Sequence, residues 1–289
     1  MLFVIGLLHP VARIEWLRWT VHPSTVIGLG TLAALYVWSI KRTGNRPRLY
    51  QMVCFFSGLF VIFASLNGPI HDLSDFYLFS AHMVQHLLMT LVVPALLLSG
   101  TPGWMLRPLL KYEPAYKVAR FVTRPAMCFV IFNVVIAVWH IPAFYNRTMA
   151  DHGVHIGEHL MFMAAAVLMW WPFLSPLPEL PRLSYPGQML YCFLMIIPMS
   201  IVAVYISMAE SILYPAYSSA PRIWGLSPLE DQQLGGLIMW IPGAVVFYII
   251  LTVVFFKWVG SGRDDTAGAQ VKDDTIPPGD GRQNTAASY

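Results

Sequence analysis

The chain has 289 residues, of which 57% are hydrophobic and only 11% charged, and its formal net charge is +3. A soluble domain carries roughly a quarter charged residues, so this chain has too few polar groups to coat a water-facing surface and must meet lipid. The small positive charge argues against a nucleic-acid binder, and the three isolated cysteines, Cys54, Cys128 and Cys192, form neither a disulfide framework nor a CxxC site.

The run Met1–Leu8 is apolar but lacks a basic start and a small-residue cleavage site, and His9-Pro10 ends it early. It does not read as a signal peptide. Trp16, Arg18 and Trp19 make residues 1–23 an interfacial segment on the outer side. A membrane span needs about 20 mostly apolar residues. Seven stretches qualify: Ser24–Ile40, Leu49–Leu66, Phe76–Leu98, Pro125–Ile141, Val154–Leu174, Gly187–Ala209 and Leu234–Phe256. Pro94, Pro198 and Pro242 lie inside the third, sixth and seventh, where each removes a backbone donor and bends its helix. Residues 259–289 are polar and read as a disordered cytoplasmic tail. The expected fold is all-α, an integral membrane bundle of about seven transmembrane helices over residues 24–258.

Orientation follows from lysine and arginine. Lys41, Arg42, Arg46, Arg48, Arg107, Lys111, Lys117, Arg120, Arg124, Arg182 and the tail cations fall on one side, against Arg13, Arg18, Arg147 and Arg222 on the other. That puts the N-terminus outside and the C-terminus in the cytoplasm. Trp38, Trp170, Trp171 and Trp258 then fall near inner ends, as interfacial aromatics do.

On this topology all nine histidines lie on the outer side. His82 and His86 are four residues apart, so they stack on one helix face, and His155 and His159 repeat the arrangement. Counted from Phe76, His82 lies about 9 Å deep and His86 about 15 Å, where an imidazole is costly unless paired, hydrated or metal-bound. The two pairs supply up to four nitrogens, with His140 as a fifth candidate. Glu158, Asp72 and Asp75 are placed to orient imidazoles. Met83, Met161, Met163, Met195, Met199 and Met208 add thioethers, and nitrogen with thioether favours copper, above all Cu(I). His9, His22, His71 and His152 read as loop residues. Asp231, Gln232 and Gln233 either line an access path or cap the seventh span with Asp231 as N-cap. Gly235-Gly236 suits close helix approach. Nitrogens of the two pairs within about 5 Å would make one shared site at metal–nitrogen bonds of about 2 Å.

Several segments are similar to one family. Phe79-Ser80-Ala81-His82-Met83-Val84-Gln85-His86-Leu87-Leu88 resembles the signature of the polytopic CtaG family of cytochrome c oxidase assembly factors. Trp139-His140-Ile141-Pro142, the His155–His159 helix start, Trp170-Trp171-Pro172 and the run from Asp231 to Trp240 resemble it too, in one order over about Trp19 to Phe256. The resemblance implies a seven-helix protein of the bacterial cytoplasmic membrane that matures haem–copper oxidases and handles copper. Its implied partners are a membrane subunit of the oxidase and outer-side copper chaperones. His82, His86, His140, His155 and His159 match the family's histidines, and Asp231 matches its polar opening to span seven.

Two other readings stay open on the residues. His155-Ile156-Gly157-Glu158-His159 reads as H-x-x-E-H, a zinc-hydrolase pattern with Glu158 as base. A haem held by one histidine from each pair is the other, non-covalent because no CxxCH is present. As an assembly factor the protein needs no catalytic residue.

Overall fold

The computed structural model describes residues 19–273, with side chains described through Ser261. His9, Trp16, Arg18 and the end of the tail lie outside the described residues. Twelve α-helices follow in order among them: α1 Pro23–Thr43, α2 Leu49–Asn67, α3 Pro69–Phe76, α4 Phe79–Leu87, α5 Val93–Gly100, α6 Gly103–Leu106, α7 Glu113–Val122, α8 Pro125–Trp139, α9 Pro142–Ala150, α10 His152–Leu174, α11 Tyr185–Ser207 and α12 Pro228–Asp273. Five of these, α1, α3, α8, α9 and α12, begin on a proline, whose missing N–H costs nothing in a first turn. Gly44 closes α1 at φ 69°, a left-handed cap that favours glycine.

Six helices or joined helices are long and apolar enough to cross a membrane, and a seventh forms if α7 and α8 count as one span bent by 74°. Five of the expected spans reappear with small shifts. The fourth is different: α8 has 15 residues, about 22 Å of helix, and needs α7 to reach across a bilayer. The third span starts at Phe79, not Phe76, because Leu78 is extended (φ −134°, ψ 126°) and separates α3 from α4. His82 and His86 therefore lie about 4.5 and about 10.5 Å along their helix, counted from Phe79. The seventh helix runs on to Asp273, beyond residue 259 where a disordered tail is expected.

Helices α4 and α10 are central. In the Phe79–Gly100 span 56% of the apolar window is buried and in α10 44%, against 6% in α1, which rests mainly on α2. The largest helix interface joins α11 to α12. Gly235 and Gly236 bring α12 close on two sides. A Cβ at Gly235 would collide with the Phe79 ring of α4, and one at Gly236 would meet Ser207 Oγ of α11 at 2.6 Å.

Between α4 and α5 the chain makes a π-helical turn, Leu88–Val92. Pro94 has no N–H to offer the Thr90 carbonyl four residues before it. Trp170 on α10 supplies one, its indole nitrogen donating to that carbonyl at 3.0 Å. Trp171 donates to the Leu180 carbonyl at 3.2 Å. Both tryptophans are buried and hydrogen-bonded into the bundle, so they do not belong to an aromatic belt, whereas Trp38 and Trp258 are exposed.

Asp231 has a role its position does not suggest. The N-terminus of α12 is capped by Ser227 and Glu230, with Ser227 N donating to Glu230 Oε2 at 2.8 Å and Glu230 N to Ser227 Oγ at 3.2 Å. Asp231 instead accepts the first free amides of α4, from Phe79 N at 2.8 Å and Ser80 N at 3.1 Å. It is thus neither the cap of its own helix nor a lining of an access path. A carboxylate at a helix N-terminus is favoured by both the hydrogen bonds and the helix dipole.

Two outcomes follow. Asp231→Ala is expected to destabilise the detergent-solubilised protein by about 1–2 kcal/mol, read as a lowered thermal midpoint, with Asp231→Asn intermediate. Trp170→Phe is expected to cost about 1–3 kcal/mol by stranding the Thr90 carbonyl; an unchanged midpoint would show that another donor reaches it.

Candidate metal centre

The helices run up and down, so the start of α4, the end of α8 and the start of α10 share one end of the bundle. The i,i+4 spacing gives each histidine pair a single face, and the two faces meet. The ring centroids of His82 and His155 are 5.6 Å apart, those of His82 and His159 6.1 Å, and those of His86 and His159 5.4 Å. One nitrogen each of His82, His155 and His159 lies within 4.8 Å of the other two. A ligand atom each of His82, His86 and Glu158 meets the same limit. His140 joins from the end of α8, 6.1 Å from His86 by centroids.

Every member is buried: His82 and Glu158 are 0% exposed, His140 4%, His86 6%, His159 7% and His155 8%. Burial on this scale normally demands hydrogen bonds. Here His82 Nε2, both nitrogens of His86, His140 Nε2, His159 Nδ1 and both oxygens of Glu158 have none among the described residues. The Thr148 hydroxyl beside Glu158 is committed to the Tyr145 carbonyl at 2.7 Å. An unpaired buried polar group costs about 1–3 kcal/mol. The donors form two overlapping groups that share His82, and imidazole nitrogens with a carboxylate fit a metal ion chemically.

The surroundings prepare two of the imidazoles. His140 Nδ1 lies 2.8 Å from the Ile136 carbonyl, which only accepts, so the proton sits on Nδ1 and the Nε2 lone pair is free. Tyr217, in the loop between α11 and α12, does the same for His82. Its hydroxyl donates to the Ser74 carbonyl at 2.7 Å and takes a hydrogen bond from Tyr145 at 3.0 Å. His82 Nδ1 stands 3.4 Å away as a further donor, leaving Nε2 bare. Burial holds the Tyr217 phenol well above its ordinary range, so it keeps its proton. His155 and His159 face each other through Nε2 at 2.8 Å. A shared ion would hold two such nitrogens about 3.3 Å apart, a small adjustment.

Two spaces adjoin the cluster. A cavity of about 20 Å³ is lined by His86 and His140 together with Met83, Met199 and Met239. A larger one, about 620 Å³, opens between α1, α2 and α10 and has His155 and His159 on its wall.

The expected site residues are sorted by this geometry. His82, His86, His140, His155, His159 and Glu158 come together, and Met83 reaches the small cavity. Asp75 stays outside the cluster, 3.5 Å from His71 Nε2. Asp72 accepts from Thr20 at 3.4 Å. Asp231 acts as a cap. Met161 and Met208 are exposed. Sequence reasoning missed Tyr145, Tyr214 and Tyr217, which reach the site from loops and short helices with no periodic pattern. It also missed Gln85, whose amide donates to the Ser65 carbonyl at 2.7 Å while its oxygen accepts from Ser74 at 3.1 Å.

A sequence model of the cytochrome c oxidase caa3 assembly factor family matches residues 31–261. Uncharacterized proteins of Mycobacterium bovis and Mycobacterium tuberculosis are each 20% identical to the chain over 260 residues, covering 82% of it and 39% of their own length. One of Mycobacterium leprae is 20% identical over 249 residues, covering 81% and 37%. The chain therefore spans about two-fifths of the length of these curated relatives. No solved structure matches. Because the family match takes in most of the chain and every residue of the histidine cluster, the chain belongs to the cytochrome c oxidase caa3 assembly factors.

Proposed function

We propose that the protein binds copper as Cu(I) through His82, His86, His155 and His159, with His140 beside them, and supports its delivery to a membrane subunit of the oxidase. The observation that carries this reading is the convergence of buried ring nitrogens with no hydrogen-bond partner. Neutral imidazoles suit Cu(I), and the thioethers of Met83, Met199 and Met239 on the adjoining cavity add soft donors. Thioethers and imidazoles also tolerate a compartment in which thiols oxidise. The basic residues gather at the opposite end of the bundle, and the positive-inside tendency supports an outward-facing histidine end in a bacterial cytoplasmic membrane. Outer-side copper chaperones are then the natural donors. The crowding of the imidazoles favours an ion over a haem. A macrocycle needs a clear plane between its two axial histidines, and here five of the six pairs among the rings of His82, His86, His155 and His159 lie 4.2–6.1 Å apart.

Zinc hydrolysis has one observation in its favour, the two-histidine, one-glutamate set of His82, His86 and Glu158, a ligand type found at catalytic zinc. Zinc-dependent turnover of a peptide or lipid amide, lost in Glu158→Gln, is what that reading requires.

The copper reading is tested on detergent-purified full-length protein titrated with Cu(I) against a chromophoric chelator. The variant His82→Ala/His86→Ala/His155→Ala/His159→Ala is expected to lose one tightly held equivalent. Equal copper in both proteins would remove the site. Tyr217→Phe, which releases the His82 tautomer, is expected to weaken binding by about 10–100-fold while leaving the stoichiometry intact.

A further inference from the structure

Three histidines outside the cluster are grouped as well. His22 is the residue before α1, His71 lies in α3 and His152 opens α10. The His22 ring centroid is 4.8 Å from that of His71 and 6.3 Å from that of His152. Two imidazoles on one metal, with bonds of about 2 Å, put their centroids about 5–6.5 Å apart; the His22–His152 spacing falls in this range and the His22–His71 spacing just below it, so His22 needs only a small ring movement to share an ion with His71. His22 Nε2 has no hydrogen-bond partner among the described residues. The His71 nitrogens are held only loosely, by Gln85 at 3.4 Å and Asp75 at 3.5 Å. Asp75 adds a carboxylate next to the group.

All three line the 620 Å³ cavity, and so do His155 and His159 of the inner cluster. Exposure falls along the way. His152 is exposed, His22 and His71 are half-buried, His155 and His159 are buried, and His82 is fully enclosed. The rest of the wall is largely apolar, with Leu29, Ile62 and Leu97 among its members, and Met163 adds one thioether to it.

We propose that His22, His71 and His152 form a second metal station at the mouth of this cavity, one that takes a soft cation, Cu(I) in the first instance, and hands it to His155 and His159. The hand-on rests on the copper reading of the inner cluster; the station itself does not. Transfer is ligand exchange: one metal–nitrogen bond forms as another breaks, with no change in oxidation state. Of the three, His71 and His152 lie within the family match and His22 precedes residue 31, where it begins.

The test is stopped-flow loading of purified full-length protein with Cu(I) from a chromophoric chelator, with equivalents counted at the end. Wild type is expected to take two equivalents. The inner quadruple variant is expected to keep one, held at the rim. The variant His22→Gln/His71→Gln/His152→Gln is expected to keep the inner one and to fill it about tenfold more slowly or worse. His152→Ala alone, at an exposed position that cannot unfold the protein, is expected to slow filling in the same direction. A rim variant that binds as many equivalents as wild type at the same rate overturns the station. One that loses an equivalent but fills the inner site at the wild-type rate overturns the hand-on. An inner quadruple variant that binds as much as wild type overturns the copper reading of the cluster instead, whatever the rim does.

Discussion

Five imidazoles and a carboxylate are buried together in an apolar bundle, and most of their polar atoms find no protein partner. That constraint governs the rest of the structure. In water each lone pair would be solvated; between helices it must be paired or it destabilises the fold. Interhelical hydrogen bonding is the ordinary solution for polar residues in membrane bundles. Here His155 and His159 pair with each other at 2.8 Å and His140 with the Ile136 carbonyl at 2.8 Å, while both nitrogens of His86 and the Nε2 of His82 find no partner among the described residues.

The scaffold is built to hold that arrangement. Asp231 binds the first amides of α4, fixing where the helix bearing His82 and His86 begins. Gly235, one turn further along α12, lets the same helix close against the Phe79 ring. On the other side, Trp170 of α10 binds the Thr90 carbonyl left free by Pro94. Helices α12 and α10 therefore grip α4–α5 from both flanks through buried hydrogen bonds to backbone, two from Asp231 and one from Trp170. The tyrosines complete the frame. Tyr214 donates to the His140 carbonyl at 2.8 Å, and Tyr217 ties Ser74 to His82. Gln232 and Gln233 hold the intervening loop by its backbone at Ser211, Leu213 and Ala209.

What the amino-acid sequence made legible was whatever repeats at helical spacing. The apolar spans and the two i,i+4 histidine pairs follow from a 3.6-residue period, and a period survives without knowledge of the neighbours. The site's other parts depend on contacts far apart in sequence. Asp231 caps a helix 152 residues away, and Tyr217 meets Ser74 across 143. Nothing local in Asp231-Gln232-Gln233 distinguishes a cap for another helix from a cap for its own. The short α8 and the bend before it were hidden because a broken span has the hydropathy of a straight one. His22, His71 and His152 read as loop residues because three separate loops carry no common pattern until the fold brings them together.

Charge offers a physical reason for a monovalent ion. On the copper reading, the ligands are neutral imidazoles and thioethers, and the cluster contains one carboxylate, Glu158, which is 0% exposed. A buried ion is tolerated when it is paired. Cu(I) with an ionised Glu158 leaves no net charge in the bundle, whereas a divalent ion with the same ligands leaves one uncompensated in a medium that solvates it poorly. The rim repeats the composition, with His22, His71 and His152 beside the single carboxylate of Asp75. On this proposal the two stations must hold the ion with similar strength, because an ion bound far more tightly at the first station would never reach the second, and one bound far more tightly at the second would never leave it for an oxidase.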